Sequence, residues 1–267
     1  MKSIIQFICF GFTLYALILV VFYFLQNKML FFPGPTPFGK CQDMKQRGAK
    51  PLSIEGARYY LQTKPNSDNW IIIFHGNAGN ACDRVYFLDL LKDFNSNVAV
   101  FEYPGYGKDL NSPGENIFLV QALELIQHIK ETDQNNLPVY LMGESIGTGV
   151  ATFVASQTKI NGLILISGYT SIAKVAQYHY PWLPVKYLMR NKFAAHTWAG
   201  QTTTPAILFH GIKDDIIPIQ FARNQLLNFN GQKELVEIPE CGHNDIIDVG
   251  EKVLQQKIRF FIKKIQS

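Results

Sequence analysis

The 267 residues predict an α/β fold: a mostly parallel sheet covered by helices on both faces, with a short cap insertion and an N-terminal transmembrane helix. Three observations lead there. Short continuous apolar runs alternate with stretches of helical period, the pattern of parallel strands joined by crossover helices. An uncharged apolar run near the N-terminus is long enough to cross a bilayer. One serine stands between glycines where a strand run meets a helical run.

Composition narrows the class further. Hydrophobic residues make up 47% and charged residues 17%, below the ~25% charged share of ordinary soluble chains, which excludes a disordered or fibrous protein. Lys+Arg exceed Asp+Glu by 25 − 21 = 4 with no block of like charge, so there is no footprint for nucleic acid.

From Ile4 to Leu25 the chain carries no charge. About 22 helical residues span roughly 33 Å, against a hydrocarbon core of about 30 Å. A cleaved signal peptide would have a shorter apolar region ending in small residues, and none follow Leu25. The expectation is a retained single-pass anchor over 1–30. Lys2 and the terminal amine on one side nearly balance Lys28, Lys40 and Lys45 on the other, which leaves the side of the body open. Cys9 lies in the anchor; Cys41, Cys82 and Cys241 allow one bridge or none.

Phe32-Pro33-Gly34-Pro35 and the polar run that follows read as a linker over 31–50, because paired Pro and Gly deny the backbone both helix and ladder. The body should then occupy 51–267, that is 267 − 50 = 217 residues, enough for one core. Strands are expected at 70–74, 97–102, 139–142, 162–167, 206–209 and 234–238, with a hairpin near 57–62 adding antiparallel strands at one edge. Helices are expected at 83–94, 113–131, 146–156, 218–227 and 250–265. The clearest, 113–131, aligns Phe118, Ala122, Leu125, Ile126 and Ile129 on one face. Ser112-Pro113-Gly114-Glu115 reads as its capping box, with Ser112 accepting a backbone N–H and Glu115 reaching back.

Gly143-Glu144-Ser145-Ile146-Gly147 follows the strand run VYLM and opens a helical run. A sharp strand-to-helix turn strains the serine and lifts its hydroxyl to the end of the sheet, which requires small residues two before and two after. A hydroxyl needs a base, and the base an orienting acid, in the chain order Ser, acid, His. Asp214 and His243 each follow a strand run and reach the same sheet edge as Ser145, where ligands of open α/β sheets bind. Asp215 and Asp245 are rival acids, facing solvent or capping the next helix. His75, His128, His179, His196 and His210 are read as structural. The oxyanion needs two backbone donors: Ile146 after the nucleophile, and Asn77 from the small-residue loop HGNAGN. None of this machinery calls for a metal or cofactor.

FHGNAGN, FEYPGYGKD, GESIGTG, HGIKDDIIP and CGHND resemble the membrane-anchored α/β-hydrolase-domain serine hydrolases, including the bud-emergence-type proteins, from about Phe31 to the C-terminus. The resemblance implies the α/β-hydrolase fold, with Ser145 as nucleophile, Asp214 as acid and His243 as base. It identifies machinery and leaves the substrate open.

Tyr103-Pro104-Gly105-Tyr106-Gly107 reads as a tight turn with packed rings, with Tyr106 a candidate border of the site. The insertion over 171–204 holds Tyr178, Tyr180 and Trp182 and is read either as a cap with an apolar acyl pocket, with Tyr180 and Trp182 as candidate substrate contacts, or as a helix packed over the core. Its shortness argues against an enclosed tunnel. The expected activity is hydrolysis of a carboxylic ester or thioester, small or lipid-like, by a membrane-tethered enzyme working through an acyl-enzyme. The alternatives are a serine peptidase and a non-catalytic binding module. Oligomeric state is not readable.

Overall fold

The computed structural model describes residues 2–54 and 56–266. Helix α1 (Lys2–Leu30) has no fully buried residue and, among the described residues, is the one helix long and apolar enough to cross a membrane. After it come the two-residue strand β1 (Phe32–Pro33), the short helix α2 (Gln42–Gln46), and the hairpin of β2 (Lys50–Ile54) and β3 (Ala57–Gln62). The chain continues through β4 (Asn69–Phe74), the two-residue β5 (Ala78–Gly79), α3 (Tyr86–Leu90), β6 (Ser96–Glu102) and α4 (Glu115–Thr132). Then follow β7 (Val139–Glu144), α5 (Ile146–Gln157) and β8 (Gly162–Ile166). Three short helices, α6 (Ile172–His179), α7 (Val185–Leu188) and α8 (Ala195–Ala199), form the insertion. The chain closes with β9 (Ala206–Gly211), α9 (Ile219–Asn228), β10 (Lys233–Ile238) and α10 (Ile246–Gln266).

Eight strands form one sheet in the order β10-β9-β8-β7-β4-β6-β3-β2. Pairings from β10 to β6 are parallel, and β3 runs antiparallel to both β6 and β2 at the edge. The six expected strands are present with ends moved by one or two residues, and the fold class is the one expected. Continuous apolar runs make sense because both faces are covered. Along β4, Ile72 and Phe74 join the core under α4 and α5, while Ile71 and Ile73 join the core under α3 and α10. Helix α10 buries Ile246, Gly250, Leu254, Ile258 and Ile262, a four-residue spacing that keeps one stripe on the sheet.

Three expectations change. The helix expected from 113 starts at Glu115, and Gly114 is its N-cap without a side-chain bond. The acceptor for the Glu115 N–H is Asn191 Oδ1 at 2.8 Å, and the Glu115 carboxylate accepts the N–H groups of Lys192 and Phe193. Glu115 thus ties the insertion to α4 instead of reaching back to Ser112. The helix expected at 83–94 is shorter, because Asn80 and Asp83 form a reciprocal cap that opens a 3₁₀ turn over Ala81–Arg84 before α3 begins.

The stretch 31–50, expected as a linker, is packed against the body. Phe31, Cys41, Met44 and Ala49 are buried, β1 pairs with β5, and a disulfide joins Cys41 to Cys82. Proline and glycine do exclude regular structure from most of this stretch, but side-chain burial and the bridge fix it all the same. Cys241 is a buried free thiol.

Candidate active site

Ser145 lies between β7 and α5 with φ +50° and ψ −119°, a region that costs a non-glycine residue on the order of 1–3 kcal/mol. The turn is held by the Ser145 N–H donating to Ile166 O at 2.8 Å. It is possible only because the flanking glycines lack side chains. A Cβ on Gly147 would stand 2.0 Å from Phe74 O, and one on Gly143 would stand 2.5 Å from Gly147 O. Both positions are closed to any other residue.

His243, from the loop after β10, places Nε2 3.1 Å from Ser145 Oγ and Nδ1 2.7 Å from Asp214 Oδ2. A carboxylate only accepts, so Nδ1 carries the proton, and Nε2 is left to accept from the serine hydroxyl. Asp214 follows β9, is buried, and accepts the N–H groups of Ile216 and Ile217 at Oδ1, at 3.0 and 2.7 Å. Burial alone would raise its carboxyl, but hydrogen bonds from His210, His243 and the Ile217 N–H outweigh it and hold the group well below the usual carboxylate range. Asp215 is exposed, and Asp245 accepts the Gly242 N–H inside the loop, so neither rival acid meets the imidazole.

Ile146 opens α5, so its N–H belongs to the first-turn donors that have no partner within the helix. Asn77 faces the same cleft. Its side-chain amide donates to Leu30 O at 2.9 Å, and its carbonyl accepts the Phe32 N–H and the Tyr106 hydroxyl, so its backbone N–H is the group it offers. The loop is braced from below. Glu144 pairs with Arg84 at 2.6 Å and accepts from Tyr86 and the Gly76 N–H, while Arg84 donates to Ala78 O.

Ser145, His243, Asn77 and Ile146 line one cavity of about 490 Å³, with Asp214 behind His243. Tyr180 also lines it. Tyr106 and Trp182, expected as substrate contacts, do not. Tyr106 is fully buried and its hydroxyl is spent on Asn77 O, so it supports the loop from the core. Trp182 is half exposed and turns to α1, where its ring meets Phe22 edge-on at 5.9 Å and its carbonyl accepts from Tyr15.

Sequence reasoning missed several participants. His210 was read as structural, yet its buried Nε2 lies 3.2 Å from Asp214 Oδ2 and 2.7 Å from Ile217 O, giving the acid a second imidazole donor. Its place at the end of the strand that leads to Asp214 was the available signal. His179 lines the cleft and bonds Ile216 O at 2.8 Å, bridging the insertion to the Asp214 loop. The far wall comes from Phe22, Gln26, Met29 and Leu30 of α1, which no local pattern could assign.

A mostly parallel sheet that carries a strained serine at a strand-to-helix turn defines the architecture of an α/β-hydrolase. The family described as serine aminopeptidase, S33, matches residues 65–194. The chain is similar to protein bem46 of Schizosaccharomyces pombe, 26% identical with 86% of this chain and 84% of that protein covered. It is also similar to the lysophosphatidylserine lipase ABHD12 of Danio rerio, 29% identical over 66% of this chain and 53% of that protein. Among solved structures, the Pyrococcus furiosus esterase PF2001 superposes with a TM-score of 0.70 at 16% identity, covering 89% of this chain and 98% of that one. The chain has the α/β-hydrolase fold and is similar in sequence to bem46 and ABHD12.

Proposed function

We propose that this chain is a membrane-tethered serine hydrolase that cleaves carboxylic esters or thioesters through an acyl-enzyme. The observation that carries the reading is the hydrogen-bonded series Ser145–His243–Asp214 at the floor of a largely apolar cleft. Ser145 Oγ attacks the acyl carbon while its proton passes to His243 Nε2, and the N–H groups of Ile146 and Asn77 receive the oxyanion. Collapse breaks the bond to the leaving alcohol or thiol, which takes the proton from His243. Water then attacks the acyl-enzyme by the same route, releasing the acid and restoring Ser145. Asp214 stays ionised throughout and supports the imidazolium.

The serine-peptidase alternative meets a specific obstacle in its aminopeptidase form. A free α-ammonium needs a carboxylate beside the scissile bond, and among the described lining residues there is no Asp or Glu. The apolar lining suits an acyl chain. The lipase activity named for the ABHD12 homologue supports the same substrate class. Helix α1, by length and apolar composition, supplies the tether.

The test is fluorophosphonate labelling of the full-length protein in detergent, followed by a chain-length panel of acyl esters and thioesters against aminoacyl amides. Labelling lost in Ser145→Ala with preferential ester turnover is the expected result. Amide turnover that exceeds ester turnover, or no labelling, overturns it.

A further inference from the structure

The wall of the cleft opposite Ser145 is made by two elements that meet along a continuous seam. Tyr15 of α1 donates to Trp182 O at 2.8 Å; Phe22 contacts the rings of Tyr180 and Trp182; Gln26 donates to Leu188 O and accepts the Arg190 N–H. Asn27 and Asn191 close the seam at 2.8 Å. These contacts tie the helix to the cap along more than ten residues, and the cavity lies between them.

From this seam we infer that the cap is seated beside α1 within one membrane leaflet, and that the cleft between them takes the acyl chain of a lipid dissolved there. The inference rests on the serine-hydrolase reading for what happens at Ser145 and on α1 crossing the bilayer.

Helical rise sets the depth. Tyr15 lies ten residues before Leu25, the end of the uncharged run, so the cap tip it holds sits about 15 Å inside that run. If α1 occupies the hydrocarbon, the tip occupies it too. The tip is dressed for that position: Tyr178, Trp182 and Tyr187 are 60%, 52% and 81% exposed. Each of these rings is a largely apolar surface whose transfer from water to hydrocarbon is favourable. Arg190, stacked over the Tyr23 ring at 5.3 Å, stands nearer the end of the run, at headgroup depth. A water-facing cap would instead leave three large rings exposed beside an apolar helix. Inside the cleft, Phe22, Met29, Leu183 and Leu188 offer apolar contact, and Asn244 is a polar lining residue beside His243. The occupant is therefore an acyl chain that arrives from the same leaflet without passing through water.

Two measurements on full-length protein in phosphatidylcholine vesicles test this. In vesicles brominated on the acyl chains, tryptophan quenching of the wild type is compared with that of Trp182→Phe, a mild change that keeps the carbonyl bonded to Tyr15. A quenched component that disappears in Trp182→Phe is expected; a Trp182 component that bromine leaves unquenched overturns the inference. Second, Trp182→Asp is compared with wild type on a long-chain ester confined to the bilayer and on a soluble short-chain ester. The ratio of long-chain to short-chain kcat/KM should fall by at least about tenfold, the change produced by ~1.4 kcal/mol, and an unchanged ratio overturns uptake of the chain from the leaflet. If the wild type turns over neither ester, the hydrolase reading fails, and the quenching result alone decides whether the cap lies in the leaflet.

Discussion

Ser145, Asp214 and His243 each follow the carboxyl end of one parallel strand, β7, β9 and β10, and each is held by its own strand's backbone pairing. The facing wall has a different origin. It brings α1 and the cap together over more than 150 residues of sequence, mainly through side-chain contacts such as Tyr15 to Trp182 and Asn191 to Asn27. In the first region, local period and sheet topology dictate where a residue ends up. In the second, the position depends on which side chains find partners after the sheet has formed. On the proposed function, the chemistry is therefore concentrated where the fold is most constrained, and selectivity where it is least constrained.

The comparison breaks most sharply at the catalytic half. Ser145→Ala should abolish ester turnover and probe labelling with little change in Tm, because alanine removes only the attacking oxygen from a turn that Gly143 and Gly147 already define. Asp214→Asn should lower kcat by about 10⁴, as the imidazole loses its correct tautomer and its counter-charge. Asp215→Asn, on an exposed residue, should cost less than about tenfold. The two asparagine variants measured side by side at the wild-type pH optimum decide the matter: equal losses would remove Asp214 from its role.

These contrasts also explain what the sequence made readable. The six central strands follow from apolar runs covered on both faces, and Ser145 follows from two glycines whose absent side chains the fold requires. The order Ser, Asp, His with a shared sheet edge was enough to choose Asp214 and His243 as candidates. For Tyr106 the packed-ring reading holds and the site-border alternative does not: aromatic character does not tell a ring that borders a cavity from one that braces it, and only its bond to Asn77 O separates the two. Ser112 was misread because Asn191, far along the chain, competes for the same helix N-terminus. The linker reading failed in a similar way. Proline and glycine report the backbone's lack of regular structure, whereas Cys41, Met44 and Phe31 are fixed by partners that composition does not reveal.

The packed stretch 31–50 adds a third case, tested by cutting it. The Cys41–Cys82 bridge closes a separation of 41 residues, for which the chain-entropy estimate is about 4 kcal/mol. Cys41→Ser should lower Tm by roughly 10 °C in a domain of this size, with the wild type showing the same shift under reductant. A truncation that starts at residue 51 loses the bridge together with Phe31 and Met44 and should be less stable than one that starts at residue 31. Equal melting of the two truncations would mean that 31–50 contributes nothing to the body.

The smallest effect lies beneath the site, at a buried carboxyl group. Glu102, at the end of β6, is almost fully buried; burial pushes its carboxyl up to about 7, opposed by the Ala81 N–H and Arg58 and reinforced by Asp83 and Asp109. His75 stands 3.9 Å away, but its own burial and the charge of Arg84 keep it well below its ordinary value, so it supplies no positive charge to Glu102 near neutral pH. The sign follows from linkage. The folded state binds this proton more tightly than the unfolded chain does, so stability falls as pH rises from the ordinary glutamate range through about 7 and levels off above it. The penalty at pH 8 is at most about 3 kcal/mol. Glu102→Gln keeps an acceptor for the Ala81 N–H and removes the ionisation. It should raise Tm at pH 8 by a few degrees and leave Tm at pH 4 nearly unchanged. Thermal melts of both proteins from pH 4 to pH 8 read the difference directly. Parallel curves would mean that Glu102 ionises in the fold as easily as it does in water, and that its burial carries no electrostatic cost.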